Sequence, residues 1–335
     1  MQDYMKLNYY KFEDEKKYLI KQATHKDTSK ILNFIYKYWS KNHVFVKSRK
    51  LFYFQHKNKK KLNWIIATNK RTKKLEGILG FVSKNFYSKG IICKNDDIWI
   101  AMIMVAYPLK PSKGLGTYMV NCFTKKIKPN SISAIGINVV SAHLFKKVGM
   151  KIDYLNQYYL KKQKKFKSVN YKNIIITNNI DIIKKFKNYD QDFKNYNYFL
   201  NRYFKHPIYK YSLFILYENQ KIKNFFIFRK IYFGKKLAIR IIDVGNIKLI
   251  HKFKKNYFLH LIKNFKANHI DLINFGIEES KFKKIGLKLR KNVFIPHHFE
   301  PYEKKNIDVM FSYISNKKKF YVFKGDSDLD RPSNI

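Results

Sequence analysis

The stretch Leu109-Lys110-Pro111-Ser112-Lys113-Gly114-Leu115-Gly116-Thr117 holds the residues with the clearest chemical promise. An apolar run from Ile98 to Val105 precedes it and reads as a buried strand. After it, Leu115, Met119, Cys122, Phe123 and Ile127 recur at helical spacing. A glycine-bearing turn between strand and helix brings the free N–H groups of the helix start towards an anion. Gly114 and Gly116 carry no Cβ to hold a phosphate away, and Lys110 and Lys113 add positive charge. The competing reading of the same stretch, Leu115 and Thr117 included, is a turn that uses glycine for its geometry alone.

The elements around this turn follow from apolar periodicity. Tyr18 to Thr24 reads as a first strand, and Ile31, Phe34, Ile35, Tyr38 and Trp39 share one helix face after a cap at Thr28 or Ser29. Residues 1–17 read as a loosely held arm, and Val44 to Gln55 fits helix or strand. Asn63–Thr68 and Glu76–Val82 pair as strands. Ile132 to Asn138 forms another strand, and Ser141 to Met150 a helix closed by Gly149.

At 335 residues two domains are expected, with a boundary in the basic connection Lys161 to Lys167. The net charge of +47 admits two readings, a phosphate-rich partner or a compositional drift towards lysine along the whole chain. Arginine, which makes bidentate contacts to bases, is scarce, so no nucleic-acid partner is expected. Cys93 and Cys122 cannot build a disulfide framework, no signal-type segment opens the chain and no run spans a bilayer. A cytoplasmic protein is the expectation. No spacing of His, Cys and Asp makes a zinc site, so no metal is expected.

The order of strand, G-x-G, helix, strand, Asn138 and a helix ending Phe145-Lys146-Lys147-Val148-Gly149-Met150 resembles the acyl-CoA-binding half of the GNAT N-acyltransferase superfamily. Pro111 replaces the family's Gln or Arg, and Phe145 its Tyr, so the family's usual tyrosine acid has no counterpart. The resemblance implies coenzyme A as cofactor, held at Lys110, Lys113, Gly114, Leu115, Gly116, Thr117, Asn138 and Phe145. It implies fourth and fifth strands that splay apart, with the acyl arm pairing against Met104 and Val105. The Val105 N–H would then stabilise the oxyanion while the acceptor amine attacks directly.

An internal repeat extends this plan. Phe145-Lys146-Lys147-Val148-Gly149-Met150-Lys151 recurs 137 residues later as Phe282-Lys283-Lys284-Ile285-Gly286-Leu287-Lys288. The same shift lays Leu237–Val244 on the strand before the glycine turn, and Ile247–Phe253 on the turn itself, where no glycine stands. Two tandem α/β domains follow, each a mixed sheet flanked by helices. Residues 1–160 form the acyl-CoA domain, and residues 168–335 a degenerate copy that contributes acceptor binding.

Asp243, at the end of that second strand, is a base candidate whose other reading is a turn cap. Arg240 lies near it on the opposite face by strand alternation. His143, His206 and the pair His297-His298 are further candidates, each with a reading as a surface or loop residue. Asp326 and Asp328 could hold an ammonium or clasp the tail to the basic surface. This ending, with His206-Pro207-Ile208-Tyr209-Lys210-Tyr211, is similar to tandem-GNAT proteins of bacterial surface-polysaccharide and O-antigen pathways. It implies an amino sugar on dTDP or UDP as acceptor, bound through His206, Tyr209, Arg240, Asp243, Asp326 and Asp328. The alternatives are a FemABX-like aminoacyltransferase fed by charged tRNA, and a non-enzymatic nucleic-acid or membrane binder on the same scaffold.

Overall fold

The computed structural model describes residues 11–92, 95–166, 171–190, 194–295, 306–327 and 330–332. Its strands are β1 Tyr18–Thr24, β2 Lys57–Asn58, β3 Lys61–Asn69, β4 Leu75–Ser83, β5 Asp97–Val105, β6 Ser131–Ile135, β7 Lys151–Lys161 and β8 Ile174–Thr177. They continue as β9 Ser212–Glu218, β10 Lys221–Phe233, β11 Lys236–Val244, β12 His269–Phe275, β13 Lys288–Leu289, β14 Val309–Ser315 and β15 Val322–Phe323. The helices are α1 Thr28–Tyr38, α2 Val44–Lys47, α3 Arg49–His56, α4 Lys84–Lys89, α5 Leu115–Ile127, α6 Val139–Lys147, α7 Tyr196–Phe199, α8 Lys255–Asn264 and α9 Glu279–Lys284.

The chain divides into two units that are not contiguous in sequence. Met1–Tyr154, Val309–Lys318 and Ser327–Ile335 make the first, and Leu155–Asp308 with Lys319–Asp326 the second. The strand order is β1-β3-β4-β5-β6-β14 in the first unit and β7-β12-β11-β10-β9-β8 in the second. In both, one parallel pair sits among antiparallel neighbours: β5 with β6, and β11 with β12. The mixed α/β class read from the sequence is the observed one.

Strand alternation gives the first sheet two apolar faces. Ile65, Leu79, Ile98 and Ile100 pack with Leu115, Met119, Phe123 and Phe145 of α5 and α6. On the other face Trp64, Ile66, Ile78 and Met102 pack with Ile31, Ile35, Phe45 and Phe52 of α1 to α3. A Cβ at Gly80 would stand 2.8 Å from the Trp64 ring, so glycine there makes room for the indole. The ambiguous stretch 44–55 resolves into two short helices because side chains cap both. His43 Nδ1 accepts from the Phe45 N–H, and Ser48 Oγ from the Leu51 N–H. The arm is pinned where described: Phe12 is buried and stacks on Tyr118 at 4.5 Å. In the second unit α8 begins at Lys255, after a separate 3₁₀ turn at Ile250–Lys252.

Two imidazoles enter the α1–α3 core uncharged. His43 and His56 flank the Phe45 ring, with centroids at 5.1 and 5.2 Å, and the Arg331 guanidinium lies 4.7 Å from the same ring. Burial, aided by the Arg331 charge, lowers both pKa values to about 3. The unfolded chain therefore binds protons between about 6.5 and 3 that the folded chain refuses, and stability falls as pH drops through that window. The expected slope is about 1.4 kcal/mol per pH unit for each histidine. Urea midpoints measured from pH 7.5 down to pH 4.5 test this, and His56→Gln should flatten the slope. A midpoint independent of pH would refute it.

Candidate functional site

Strand β5 ends at Val105 and leads through a 3₁₀ turn, Tyr107–Leu109, into the loop before α5. Lys110 takes left-handed backbone angles (φ 49°) and Gly114 does the same (φ 89°). Gly114 is the N-cap of α5, and no side chain caps that end. The Leu115 N–H donates to the Ser112 carbonyl at 3.2 Å, so the helix start offers the N–H groups that follow it, those of Gly116 and Thr117, with the positive end of its dipole. Lys110 and Lys113 are exposed beside it.

The loop is braced from below. The Ser112 N–H donates to Tyr18 Oη at 2.9 Å, and that hydroxyl donates to Glu76 Oε2 at 2.7 Å. Asn69 Nδ2 donates to the other carboxylate oxygen at 2.8 Å, and Lys17 Nζ to Ser112 Oγ at 3.0 Å. Sequence reading missed Tyr18, Asn69 and Glu76 because it saw only the apolar alternation of their strands. The signal was a polar residue at the end of each of three strands.

The two glycines do different work. A Cβ on Gly116 would lie 2.7 Å from Leu144 Cδ1, so that glycine lets α5 and α6 approach each other. Gly114 alone is left to admit a ligand close to the main chain. Leu115 and Thr117 are buried, Leu115 within the core.

The pairing of β5 with β6 runs from Asp97↔Ser131 to Trp99↔Ser133 and stops, although β5 continues to Val105. Met104 and Val105 lie in this parted stretch, half buried, and are held from the other side by Ile78 and Gly77 of β4. Strand β6 itself ends at Ile135, two residues past the last pair, so the end of β5 has no β6 partner. Asn138 Oδ1 accepts from the Ser141 N–H and caps α6. His143 is exposed on that helix. Phe145 is 1% exposed and belongs to the core, which removes it as a cofactor contact.

The second unit corrects several expectations. Asp243 is fully buried, 2.5 Å from Lys194 Nζ, and accepts from Tyr203 Oη at 2.7 Å. Lys194 also reaches Asp326 at 3.0 Å. Burial raises the Asp243 pKa against the pull of Lys194, with Asp326 adding to the rise. Burial opposes the Lys194 charge, yet the two carboxylates hold its pKa above the ordinary lysine value. Asp243 has no route to a substrate proton, and the ammonium held by Asp326 is the chain's own. Arg240 is equally sealed, with Nε and Nη2 on Asp271 at 2.9 and 2.5 Å. The opposite-face expectation for Arg240 and Asp243 also fails. A bulge falls between Ile241 and Asp243, and Leu237, Ile239, Ile241 and Val244 line the core, leaving Arg240 and Asp243 on the other face. His206 Nδ1 accepts from the N–H groups of Ile208 and Tyr209, a local turn cap, and the Tyr209 ring carries the Arg229 guanidinium at 4.0 Å. Asp328, His297 and His298 lie outside the described residues, as does Cys93.

The parting of β11 and β12, whose pairing ends at Ile241↔Leu272, is filled. Strand β15 pairs with β12 through Asn274↔Phe323 and Phe275↔Val322. The opposite edge of β12 is taken by β7 as far as Asn274↔Asn156, so β15 lies on the β11 side. Gly325 follows, where a Cβ would stand 2.6 Å from Ile242 Cγ2. In the second unit the chain occupies its own groove. Among the described residues no group of three His, Cys, Asp or Glu could hold a metal, and no helix is long and apolar enough to cross a membrane.

Two solved structures share this architecture. A GCN5-related N-acetyltransferase from Anabaena variabilis ATCC 29413 aligns with a TM-score of 0.54 at 12% identity, over 88% of this chain and 72% of that one. A probable N-acyltransferase from Enterococcus faecalis V583 aligns at 0.53 and 10%, over 88% and 72%. No family model and no curated protein sequence matches the chain. The likeness defines the fold, that of the GCN5-related N-acetyltransferases, and the chain contains its strand plan twice.

Lys194→Met would leave two carboxylates buried without their cation, an expected loss of about 3–5 kcal/mol. Chemical denaturation measures it. A midpoint within experimental error of the parent would show that the cluster is not a structural tie.

Proposed function

We propose that the protein is an N-acyltransferase that moves an acyl group from acyl-CoA to the amine of a deoxyamino sugar carried on a nucleotide diphosphate. The observation that carries the donor half is the parted β5–β6 pair ending at an uncapped helix start behind Gly114. A pantetheine arm laid along the free edge of β5 continues the sheet, and its diphosphate meets the α5 N–H groups with Lys110 and Lys113 beside them. Both solved relatives are described as N-acetyl- or N-acyltransferases, in keeping with this reading.

In the proposed reaction the amine nitrogen bonds to the thioester carbonyl carbon. The charge that gathers on the carbonyl oxygen is met by a main-chain N–H near Val105. The C–S bond then breaks and CoA leaves as thiolate. The proton lost by the amine passes to water at the open end of the groove, or to the exposed imidazole of His143, since Asp243 is out of reach. The sugar acceptor rests on the sequence resemblance of residues 206–211 and 325–332. Arg240, Asp243 and Asp326 are engaged within the second unit, so the proposal assigns the sugar to other groups.

Thiol release from a panel of acyl-CoAs, dependent on an added nucleotide-linked amino sugar, tests the activity. Gly114→Val places a branched side chain at left-handed angles and blocks main-chain approach. It should raise KM for acyl-CoA by about tenfold or more, an order set by losing one charge-assisted hydrogen bond, and leave KM for the acceptor near the parent value. An equal rise in both constants would count against the loop as the diphosphate site.

A further inference from the structure

Eight exposed cations of the first unit gather at the end of its sheet where β5 stops. Tyr18↔Asn69, Thr68↔Leu75 and Gly77↔Val105 are register neighbours, so the start of β1, the β3–β4 turn and the end of β5 meet at one end of the sheet. Lys16 and Lys17 precede β1, and both are exposed. The turn contributes Lys70, Arg71, Lys73 and Lys74, again exposed, and is tied to the arm where the Lys70 N–H donates to the Lys17 carbonyl at 2.9 Å. Lys110 and Lys113 complete the rim, since Ser112 crosses back to Tyr18 and Lys17. Glu13, Asp14, Glu15 and Glu76 are the nearby carboxylates in sequence, with Glu76 engaged by Tyr18 and Asn69, and no ion pair among the described residues joins any of the eight cations to an acid. Four adjacent strands span about 15 Å at ordinary strand spacing, wider than one diphosphate. The loop lysines and the α5 start suffice for that group, which leaves the arm and turn cations for something larger.

Resting on the acyltransferase reading, we propose that this rim docks an acidic acyl carrier protein, whose serine-linked phosphopantetheine thioester enters the β5–β6 groove in place of CoA's arm. The carrier shares the arm and its first phosphate with CoA and differs in bearing that phosphate on a negatively charged protein surface. Transfer balances as before: the acceptor nitrogen bonds to the carbonyl carbon, the C–S bond breaks, the carrier's arm leaves as thiolate, and the proton lost by the amine passes to water or to His143. The rim steers the carrier by charge, so the association is sensitive to salt.

The test compares Lys70→Glu/Arg71→Glu/Lys73→Glu with Lys57→Glu/Lys59→Glu/Lys60→Glu, an equal charge reversal at the other end of β3. Each protein is titrated with a dye-labelled acyl carrier protein bearing an acylated arm, with the same acyl-CoA, and with single-stranded DNA, at about 50 mM salt where screening is weak. The rim variant should bind the carrier at least about tenfold more weakly and acyl-CoA within about threefold, with the far variant unchanged for both. Equal weakening by the two variants, or equal loss of carrier and DNA, would show charge without a docking surface and overturn the proposal. Parent protein that binds acyl-CoA but not the carrier overturns it while leaving the acyltransferase reading intact. Parent protein that binds neither donor removes that reading as well.

Discussion

Backbone pairing between β5 and β6 ends after three residues, and the rest of the first unit is arranged around that break. A strand edge left open inside a sheet is an unmet demand for hydrogen bonds. The protein meets it on one side by anchoring β5 firmly to β4, and beyond the strand end by bracing the loop with Tyr18, Glu76 and Asn69. The edge stays rigid and exposed together. A ligand that resembles an extended chain and ends in a phosphate satisfies both the edge and the uncapped helix behind Gly114.

The second unit solves the same geometry in the opposite way. Its parallel pair also parts, but β15 enters the gap and Asp326 fixes the segment through Lys194 to Asp243. One buried ammonium shared by two carboxylates, with Tyr203 donating to one of them, leaves no room for the same groups to serve a substrate. The absence of glycine between Ile247 and Phe253 is then of a piece with a groove already filled.

Much of this was legible in the residue pattern. The run 18–24, the hairpin strands, the turn at Gly114 and the repeated ending with left-handed Gly149 and Gly286 all depend on local periodicity or glycine geometry. The candidate acceptor residues were not legible in the same way. Asp243, Arg240 and Asp326 look like binding groups when their partners are unknown, and those partners lie 49, 31 and more residues away in sequence. The bulge before Asp243 turns a side chain to the other face without any mark in the sequence, because any residue type tolerates it. Gly116 and Phe145 sit at positions where a ligand contact and a packing contact ask for the same residue.

The interleaving of the chain has a consequence for synthesis. Strand β14, which covers the free edge of β6, and the Arg331 segment beside Phe45 are translated after nearly the whole second unit. An emerging polypeptide therefore exposes an unfinished sheet edge while about half of the chain is made, a template for mispairing with other nascent strands. Delivery of β14 and the Arg331 segment only at the end makes completion of the amino-terminal half a late, long-range event. A dense positive charge along the growing chain, by keeping copies apart, suits a protein built in that order.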